Sequence, residues 1–302
     1  MPITQGMTNN DLPIERMKLN HGYFILNPPA NERDLHVERM RAALPTLGPG
    51  SYFCRESASL LHGLPLWYEN LRLVHVVRTQ GGHGGVSPWI HAYTTPKNLP
   101  KTTEIDGLRI TSLERTAADV MRTLKFGPSL ALADAVLRLG GSRGLLLKEV
   151  ESGRGCRHCQ EAVMRADPRS ESPYESWARA IMLQNQIPLP KLQHEFFDSA
   201  GFAGRVDFHW PRFRLVGEYD GETKTNELLL PGQTPEEVMA AAKVRQTRIE
   251  ALGQRFIRFG MDDVHNSFIL AGRLGLEFDG HLTDHGLCPE ALDYRRPLRR
   301  TG

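Results

Sequence analysis

Residues 205–224, RVDFHWPRFRLVGEYDGETK, alternate between apolar and polar side chains in two short runs separated by a Pro-Arg turn. This alternation predicts two β-strands, because successive side chains of a strand point to opposite faces of a sheet. Three carboxylates, Asp207, Glu218 and Asp220, interrupt runs that otherwise look buried. Carboxylates that converge at one place repel one another, so the fold of this segment has to provide them with partners.

The surrounding sequence predicts an alternation of helices and strands from residue 170 onward. SPYESWARAIMLQNQ predicts a helix with Ser172 as its N-cap, and TPEEVMAAAKVRQTRIEALG predicts a second, longer helix. LQHEFF, GRVDFHW, FRLVGEY and RFIRFG predict strands, and DDVHNSFILAGRL predicts a closing helix. This order predicts an α/β domain in which helices flank a mixed sheet on both sides.

The first half of the chain predicts a different, α+β domain. YFIL and LRLVHVVRT predict strands, while ERDLHVERMRAAL, CRESASLLHGLPLW, SLERTAADVMRTL and PSLALADAVLRLG predict helices. We therefore predict an α+β N-terminal domain over residues 1–160, an α/β domain over residues 161–275, and a basic tail over residues 276–302.

Composition limits the compartment and the partners. The chain has 302 residues, of which 40% are hydrophobic, which is enough for two cores. No run of eighteen apolar residues occurs, and the start has no apolar core after a basic end, so we expect a cytoplasmic protein without a membrane span. Residues 21–160 carry seventeen Lys or Arg against twelve Asp or Glu, and residues 161–302 carry eighteen against twenty-one. The first half is the more basic, although a solvated surface explains so small an excess more often than a nucleic-acid site does.

The spacing of the three carboxylates predicts a metal site. Glu218 and Asp220 are two residues apart on a predicted strand, so both project from one face. Antiparallel pairing across the tight turn would bring Asp207 alongside them. Mg²⁺ and Mn²⁺ prefer oxygen ligands of this kind, and a divalent cation removes the repulsion between the acids. The alternative is that Asp220 and Gly221 form a turn and Glu218 is a solvated edge residue.

Residues 170–275 resemble the PD-(D/E)XK nuclease superfamily, and within it the very-short-patch-repair endonucleases. The pattern is a helix with Glu, a strand with Asp, a strand reading Glu-x-Asp-Gly, and a helix with a Lys/Arg cluster. The matching residues are Glu175 in ESPYESWAR, Asp207 in RVDF, Glu218 and Asp220 in GEYDGETK, and Lys243 with Arg245 in AAKVRQTRIEALGQRFIRF. The resemblance implies a restriction-endonuclease-like fold and Mg²⁺- or Mn²⁺-dependent hydrolysis of DNA phosphodiester bonds.

The resemblance also implies roles for individual residues. Asp207, Glu218 and Asp220 would hold the metal ion, and Glu175 would support a second ion or orient water. The superfamily usually places a lysine two residues after the Glu, where this chain has an aspartate, so Lys224 or Lys243 would supply the positive charge.

Several of these candidates have structural interpretations. Glu175 completes a capping box with Ser172, and helix initiation explains it as well as catalysis does. Lys243 and Arg245 lie well inside a predicted helix, and a solvated helix face is the favoured interpretation for Arg245. Cys156 and Cys159 in CRHC form half of a tetrahedral zinc site, but the sequence has no second pair, and their role stays open.

The first half resembles the AbiEi-type antitoxins of type IV toxin-antitoxin systems. The similar segments are YFCRESASLLHGLPLW and GLRITSLERTAADVMRTLKFGPSLALADAVLRLG. That family consists of transcriptional regulators whose N-terminal winged helix binds DNA, which implies DNA and a cognate toxin or other defence protein as partners. Only about twenty residues precede HGYFIL here, whereas a helix-turn-helix needs two helices before that point, so the DNA-binding element is predicted to be truncated.

The sequence leads to three alternative hypotheses for the function. The leading hypothesis is a metal-dependent DNA endonuclease of the repair or defence type. The alternative is a non-catalytic DNA-binding regulator or antitoxin that carries a degenerate nuclease domain. The third hypothesis is a protein-binding scaffold, which would retain DNA only weakly and without dependence on salt.

Overall fold

The structure is a computed structural model. In it the chain forms two compact units, of which the first ends at Val120 and the second begins at Met121. This division falls earlier in the chain than the domain boundary predicted after residue 160. Lys224 and most of the predicted basic tail, residues 285–302, lie outside the described residues. The residues that the structure describes are 16–20, 23–66, 71–79, 84–94, 101–151, 155–221 and 234–284.

The first unit contains a hairpin, a six-stranded mixed sheet and three helices among its described residues. The elements are β1 (Arg16–Asn20), β2 (Tyr23–Leu26), α1 (Glu32–Ala43), β3 (Ser51–Phe53), α2 (Arg55–His62), β4 (Val74–Arg78), β5 (Gly85–Val86), β6 (Ile90–Thr94), β7 (Thr102–Ile105), β8 (Leu108–Thr111) and α3 (Leu113–Met121). The sheet has the strand order β5-β6-β4-β3-β8-β7, with parallel pairs between β3 and β8 and between β4 and β6.

Local signals in the sequence set the ends of the first two helices. The Asn31 side chain accepts a hydrogen bond from the Arg33 backbone and caps the start of α1. α2 ends at Gly63, whose φ of 71° lies in the left-handed region that glycine adopts without strain. The two helices and the sheet enclose one apolar cluster that includes Met40 and Phe53. The structure contains the predicted helices and the strands at YFIL and LRLVHVVRT, whereas β1, β3, β5, β6, β7 and β8 were not predicted.

The second unit combines seven helices with a four-stranded sheet among its described residues. Its elements are α4 (Phe126–Arg138), α5 (Arg143–Val150), α6 (Cys156–Arg165), α7 (Pro173–Gln184), β9 (Lys191–Asp198), β10 (Gly201–Trp210), β11 (Leu215–Tyr219), α8 (Pro235–Ala251), β12 (Arg255–Phe259), α9 (Met261–His265) and α10 (Ser267–Asp284). None of the described helices in the chain is long and apolar enough to cross a membrane.

The sheet of the second unit is mixed, as the sequence predicted. Its strand order is β12-β11-β10-β9; β9, β10 and β11 are antiparallel neighbours, while β11 and β12 are parallel. Apolar clusters cover both faces. Phe208 and Leu274 belong to the larger cluster, which α7 and α10 cover, and Val206 with Ile249 belongs to the smaller cluster beneath α8. The predicted class, helices combined with mixed sheets, is confirmed.

N-capping fixes the starts of the two helices that flank this sheet. The Ser172 hydroxyl accepts from the Glu175 backbone at the start of α7. Thr234 and Glu237 form a reciprocal capping box at the start of α8, and Pro235 occupies the first turn. The predicted closing helix is divided in two, because Asn266 adopts a non-helical ψ of 89° between α9 and α10.

A buried ion pair joins α4 to α7 within the second unit. Arg179 Nη1 lies 2.7 Å from Asp134 Oδ2, and the Asp167 backbone donates to the other Asp134 oxygen. Arg179 Nη2 also donates to the Arg165 carbonyl. These contacts cross the boundary that the sequence predicted at residue 160, and they explain why helices α4 to α6 group with the second unit.

Stability is expected to fall as the pH drops from 6.5 toward 4. Burial and the neighbouring His194 lower the pKa of His209 to about 4, against an ordinary value of 6.5. Below pH 6.5 the unfolded chain binds a proton at this residue while the folded chain does not, so acid favours unfolding until the folded pKa is reached. Burial likewise lowers the pKa of His75 in the first unit to about 4.

Urea titrations at about pH 7.5 and about pH 5 measure this effect. His209→Gln is expected to unfold with less pH dependence than the wild type, because it removes one of the histidines whose pKa is lowered most in the folded chain. An equal dependence in both proteins would show that His209 does not contribute.

Candidate functional site

Two of the predicted carboxylates occupy neighbouring positions on the central strands of the second sheet. Phe208 of β10 pairs with Gly217 of β11. Extending this antiparallel register by one residue sets Asp207 opposite Glu218. Asp207 Oδ2 accepts a hydrogen bond of 3.0 Å from the Tyr219 backbone, which ties this side chain to β11. Both carboxylates line one cleft.

Two guanidinium groups bind the Glu218 carboxylate. Arg245 Nη1 lies 2.7 Å from Glu218 Oε1, and Arg258 Nη2 lies 3.3 Å from Glu218 Oε2. Glu218 is only 6% exposed, so its charge needs such partners. Arg258 Nη1 also lies 3.4 Å from Asp220 Oδ2, and Asp220 is largely exposed just after β11. Each oxygen of the buried carboxylate therefore faces an arginine.

Arg245 reaches the cleft because residue 204 is a glycine. A Cβ at Gly204 would stand 2.5 Å from Arg245 Cγ, so any side chain there would displace the arginine. Arg245 Nη1 also donates to the Arg205 carbonyl over 2.7 Å. The sequence favoured a solvated position for Arg245, and the structure places it against the sheet instead. The signal that was missed is Ile249, the buried residue four positions later on the same helix face.

Arg258 was also not predicted as a residue of this site. It lies in β12 between the buried residues Ile257 and Phe259, and strand alternation turns it to the opposite face. Its other guanidinium contacts include a 2.9 Å bond to Gln246 Oε1 of α8. Alternation alone shows which face Arg258 occupies, but not that Glu218 lies beside it.

The cleft has a volume of about 390 Å³ and lies between the sheet and the first turns of α8. Arg205 Nη2 pairs with Glu171 Oε2 at 2.8 Å on its rim. The lining residues are mostly charged or polar, with a short apolar stretch from α8: Glu171, Gln193, Arg205, Asp207, Glu218, Tyr219, Asp220, Val238, Met239, Ala242, Arg245 and Arg258. The cleft therefore presents both cationic and anionic side chains.

Glu175 supports the cleft from behind. It is 3% exposed, and its Oε2 accepts from the Glu171 backbone at 3.0 Å and from Gln193 Nε2 at 3.1 Å. Its own backbone N–H binds Ser172, so half of the predicted capping box forms with Ser172, while the carboxylate turns toward Glu171. Glu171 and Gln193 line the cleft, and Glu175 thus fixes two of its walls.

The predicted lysines contribute no contact that the structure describes within the cleft. Lys243 is exposed on α8 and is not among the residues that line it. Lys224 lies outside the described residues. The positive charges that reach Glu218 are those of Arg245 and Arg258.

The donor set suits a hard divalent cation in type. Asp207 and Glu218 offer carboxylate oxygens from adjacent strands, the ligands that Mg²⁺ prefers. In the described part of the chain, however, no three His, Cys, Asp or Glu side chains converge in a way that could hold a metal ion. Arginines also bind both oxygens of Glu218, which a cation would need as ligands.

The Cys-x-x-Cys motif lies away from this cleft at the start of α6. Cys156 and Cys159 are both free thiols. Burial raises the pKa of Cys159 to about 11, so this residue stays protonated at neutral pH.

The chain is similar to two uncharacterized proteins of Mycobacterium tuberculosis, one from strain CDC 1551 / Oshkosh and one from strain ATCC 25618 / H37Rv. Each is 29% identical to this chain over an alignment of 259 residues. The alignment covers 84% of this chain and 89% of the relative. No family model and no solved structure matches the chain. The similarity is longer than either compact unit, so it includes parts of both.

Proposed function

We propose that the second unit is a restriction-endonuclease-like domain that hydrolyses DNA phosphodiester bonds with Mg²⁺ or Mn²⁺, in repair or defence. The observation that carries this proposal is the register of β10 and β11, which sets Asp207 opposite Glu218 beside a polar cleft. Like charges that face each other on adjacent strands are destabilising, and a bound cation would remove the repulsion between these two carboxylates.

Different residues of the cleft would have different roles in this reaction. Asp207 and Glu218 would hold the ion, and Asp220 would join them only after its side chain moves toward them, because no three such side chains of the described residues converge. The ion, when bound, would polarise the scissile phosphate and lower the pKa of the attacking water. The Tyr219 backbone N–H donates to Asp207 Oδ2, so the orientation of this carboxylate does not have to be established during the reaction. Glu175 positions Gln193 on the cleft wall through a 3.1 Å hydrogen bond.

A second candidate function is a non-catalytic DNA-binding regulator or antitoxin, with a toxin or other defence protein as its partner. The pairing of both Glu218 oxygens with arginines favours it, because a carboxylate neutralised in this way is stable without a cation. In that case the cleft is a binding surface for DNA, or a remnant of an active site.

Nicking of supercoiled DNA separates the two candidates. The wild type is expected to nick DNA with Mg²⁺ or Mn²⁺ and not in the presence of a chelator, and Glu218→Gln is expected to be inactive. Single-stranded and double-stranded substrates are both required, because a structure-specific enzyme would leave the wrong substrate intact. A regulator would retain DNA equally well as wild type or as Glu218→Gln, with affinity that falls steeply with salt, and would nick nothing.

A further inference from the structure

The charges in the cleft are nearly balanced before any ligand binds. Four acids line it, Glu171, Asp207, Glu218 and Asp220, against three arginines, Arg205, Arg245 and Arg258, which leaves a net charge of −1. A divalent cation alone would change this to +1. A cation together with one phosphodiester, which carries a single negative charge, would bring it to zero. The buried Glu175 carboxylate, which lies 3.1 Å from Gln193 Nε2 behind the lining, adds a fifth negative charge, so net charge alone allows a cation to enter with or without a phosphate.

Glu218 is also not available as a ligand while both arginines bind it. Its oxygens lie 2.7 Å from Arg245 Nη1 and 3.3 Å from Arg258 Nη2, and the side chain is nearly buried. A cation that approached this carboxylate would meet two guanidinium charges at contact distance, which opposes binding.

Each arginine has a neutral partner that keeps it at the cleft. Arg245 donates to the Arg205 carbonyl over 2.7 Å, and Arg258 donates to Gln246 Oε1 over 2.9 Å. A guanidinium that leaves Glu218 for a phosphate can retain these contacts. Guanidinium groups match phosphate oxygens in geometry and bind them through paired charge-assisted hydrogen bonds.

We propose that Arg245 and Arg258 form the phosphate-binding site of the cleft, and that a nucleic-acid phosphate bound there releases Glu218 to the divalent cation. Cation and nucleic acid then bind cooperatively, and the cation-free protein is held by the arginine pairs in an inactive form. This inference rests on the proposed function, because it assumes that Asp207 and Glu218 serve as metal ligands.

Cooperativity of this kind is reciprocal and can be measured without catalysis. If DNA raises the affinity for the cation by some factor, the cation must raise the affinity for DNA by the same factor, typically about 5- to 150-fold. Calorimetry with Ca²⁺, which takes the same oxygen ligands, gives the cation affinity of the full chain alone and of the chain saturated with a short DNA duplex. Fluorescence anisotropy of a labelled duplex, with and without Ca²⁺, gives the reciprocal factor.

A single substitution tests the arginines directly. Arg258→Gln removes one charge from Glu218, keeps hydrogen-bonding capacity, and is expected to tighten Ca²⁺ binding in the absence of DNA about tenfold, or roughly 1.4 kcal/mol. The same variant is expected to show a smaller coupling factor. Arg248→Gln is the matched control, because Arg248 lies on α8 beside Arg245 but pairs with Asp198. It is expected to bind Ca²⁺ as the wild type does.

The outcomes separate this inference from the proposed function. Tight Ca²⁺ binding by the wild type that DNA does not change, together with metal-dependent nicking, would overturn the inference and leave the nuclease intact. The absence of binding of both Ca²⁺ and Mn²⁺, with and without DNA, in the wild type and in Arg258→Gln, together with the absence of nicking, would overturn both. The wild-type coupling measurement uses no variant, so a folding defect in Arg258→Gln does not affect it.

Discussion

Asp134→Asn is expected to lower the free energy of unfolding of the second unit by about 3–5 kcal/mol, because it breaks a buried ion pair from one side. The Asp134 side chain is 0% exposed and the Arg179 side chain 7%. The substitution keeps the size of the side chain but leaves the guanidinium charge of Arg179 without a counterion in the protein interior. Burial raises the pKa of Asp134 and Arg179 opposes that shift, which shows how closely the two charges depend on each other.

Urea denaturation followed by circular dichroism measures the loss. Glu277→Gln is the control, because Glu277 pairs with Arg255 at 2.7 Å near the surface, where such pairs contribute about 0–1 kcal/mol. Replacement of both members, Asp134→Leu with Arg179→Met, is expected to recover most of the loss, since no unpaired charge remains. A loss in Asp134→Asn no larger than in the control would show that the pair is not a main support of the helices α4 and α7.

Asp207→Asn is expected to slow metal-dependent nicking at least about a hundredfold. Loss of a group that only orients a metal ligand costs about 10- to 100-fold, and loss of a ligand itself should cost more. The asparagine keeps an oxygen that can accept the 3.0 Å hydrogen bond from the Tyr219 backbone, so the strand pairing should survive. The substitution therefore removes the negative charge of residue 207 and preserves the local geometry.

Rates of plasmid nicking, measured beside DNA retention and thermal unfolding, check this expectation. Asp198→Asn is the matched control, because Asp198 lies on the neighbouring strand β9, pairs with Arg248, and does not line the cleft. Equal rates in Asp207→Asn and the wild type would exclude Asp207 as a metal ligand. Loss of DNA retention in parallel with the rate would instead place Asp207 in DNA binding.

Helix boundaries were predictable from the sequence because their causes are local. Ser172 and Thr234 each bind a backbone N–H three residues later, and Gly63 ends α2 in a left-handed conformation. These interactions need only the residues of one turn. The division of the closing helix at Asn266 was not predicted, because no glycine or proline marks it in the sequence.

The boundary between the two compact units, in contrast, has no local cause that the sequence shows. Residues 126–165 follow the first half of the chain without an obvious break in composition, and the sequence grouped them with it. The partner of Asp134 is Arg179, forty-five residues later, and no local pattern connects the two. Such a contact exists only after α4 and α7 have packed against each other.

The sequence by itself predicted the two strands and the tight turn whose antiparallel pairing would bring Asp207 alongside Glu218, because these features are local. The register of β10 and β11 places the two residues opposite each other. Only the tertiary structure decided which charges meet Glu218. Arg245 arrives from α8 across Gly204, and Arg258 arrives from β12, the parallel neighbour of β11. A parallel neighbour is reached through a crossover of many residues, and its register is set by packing against the whole sheet rather than by any short stretch of sequence.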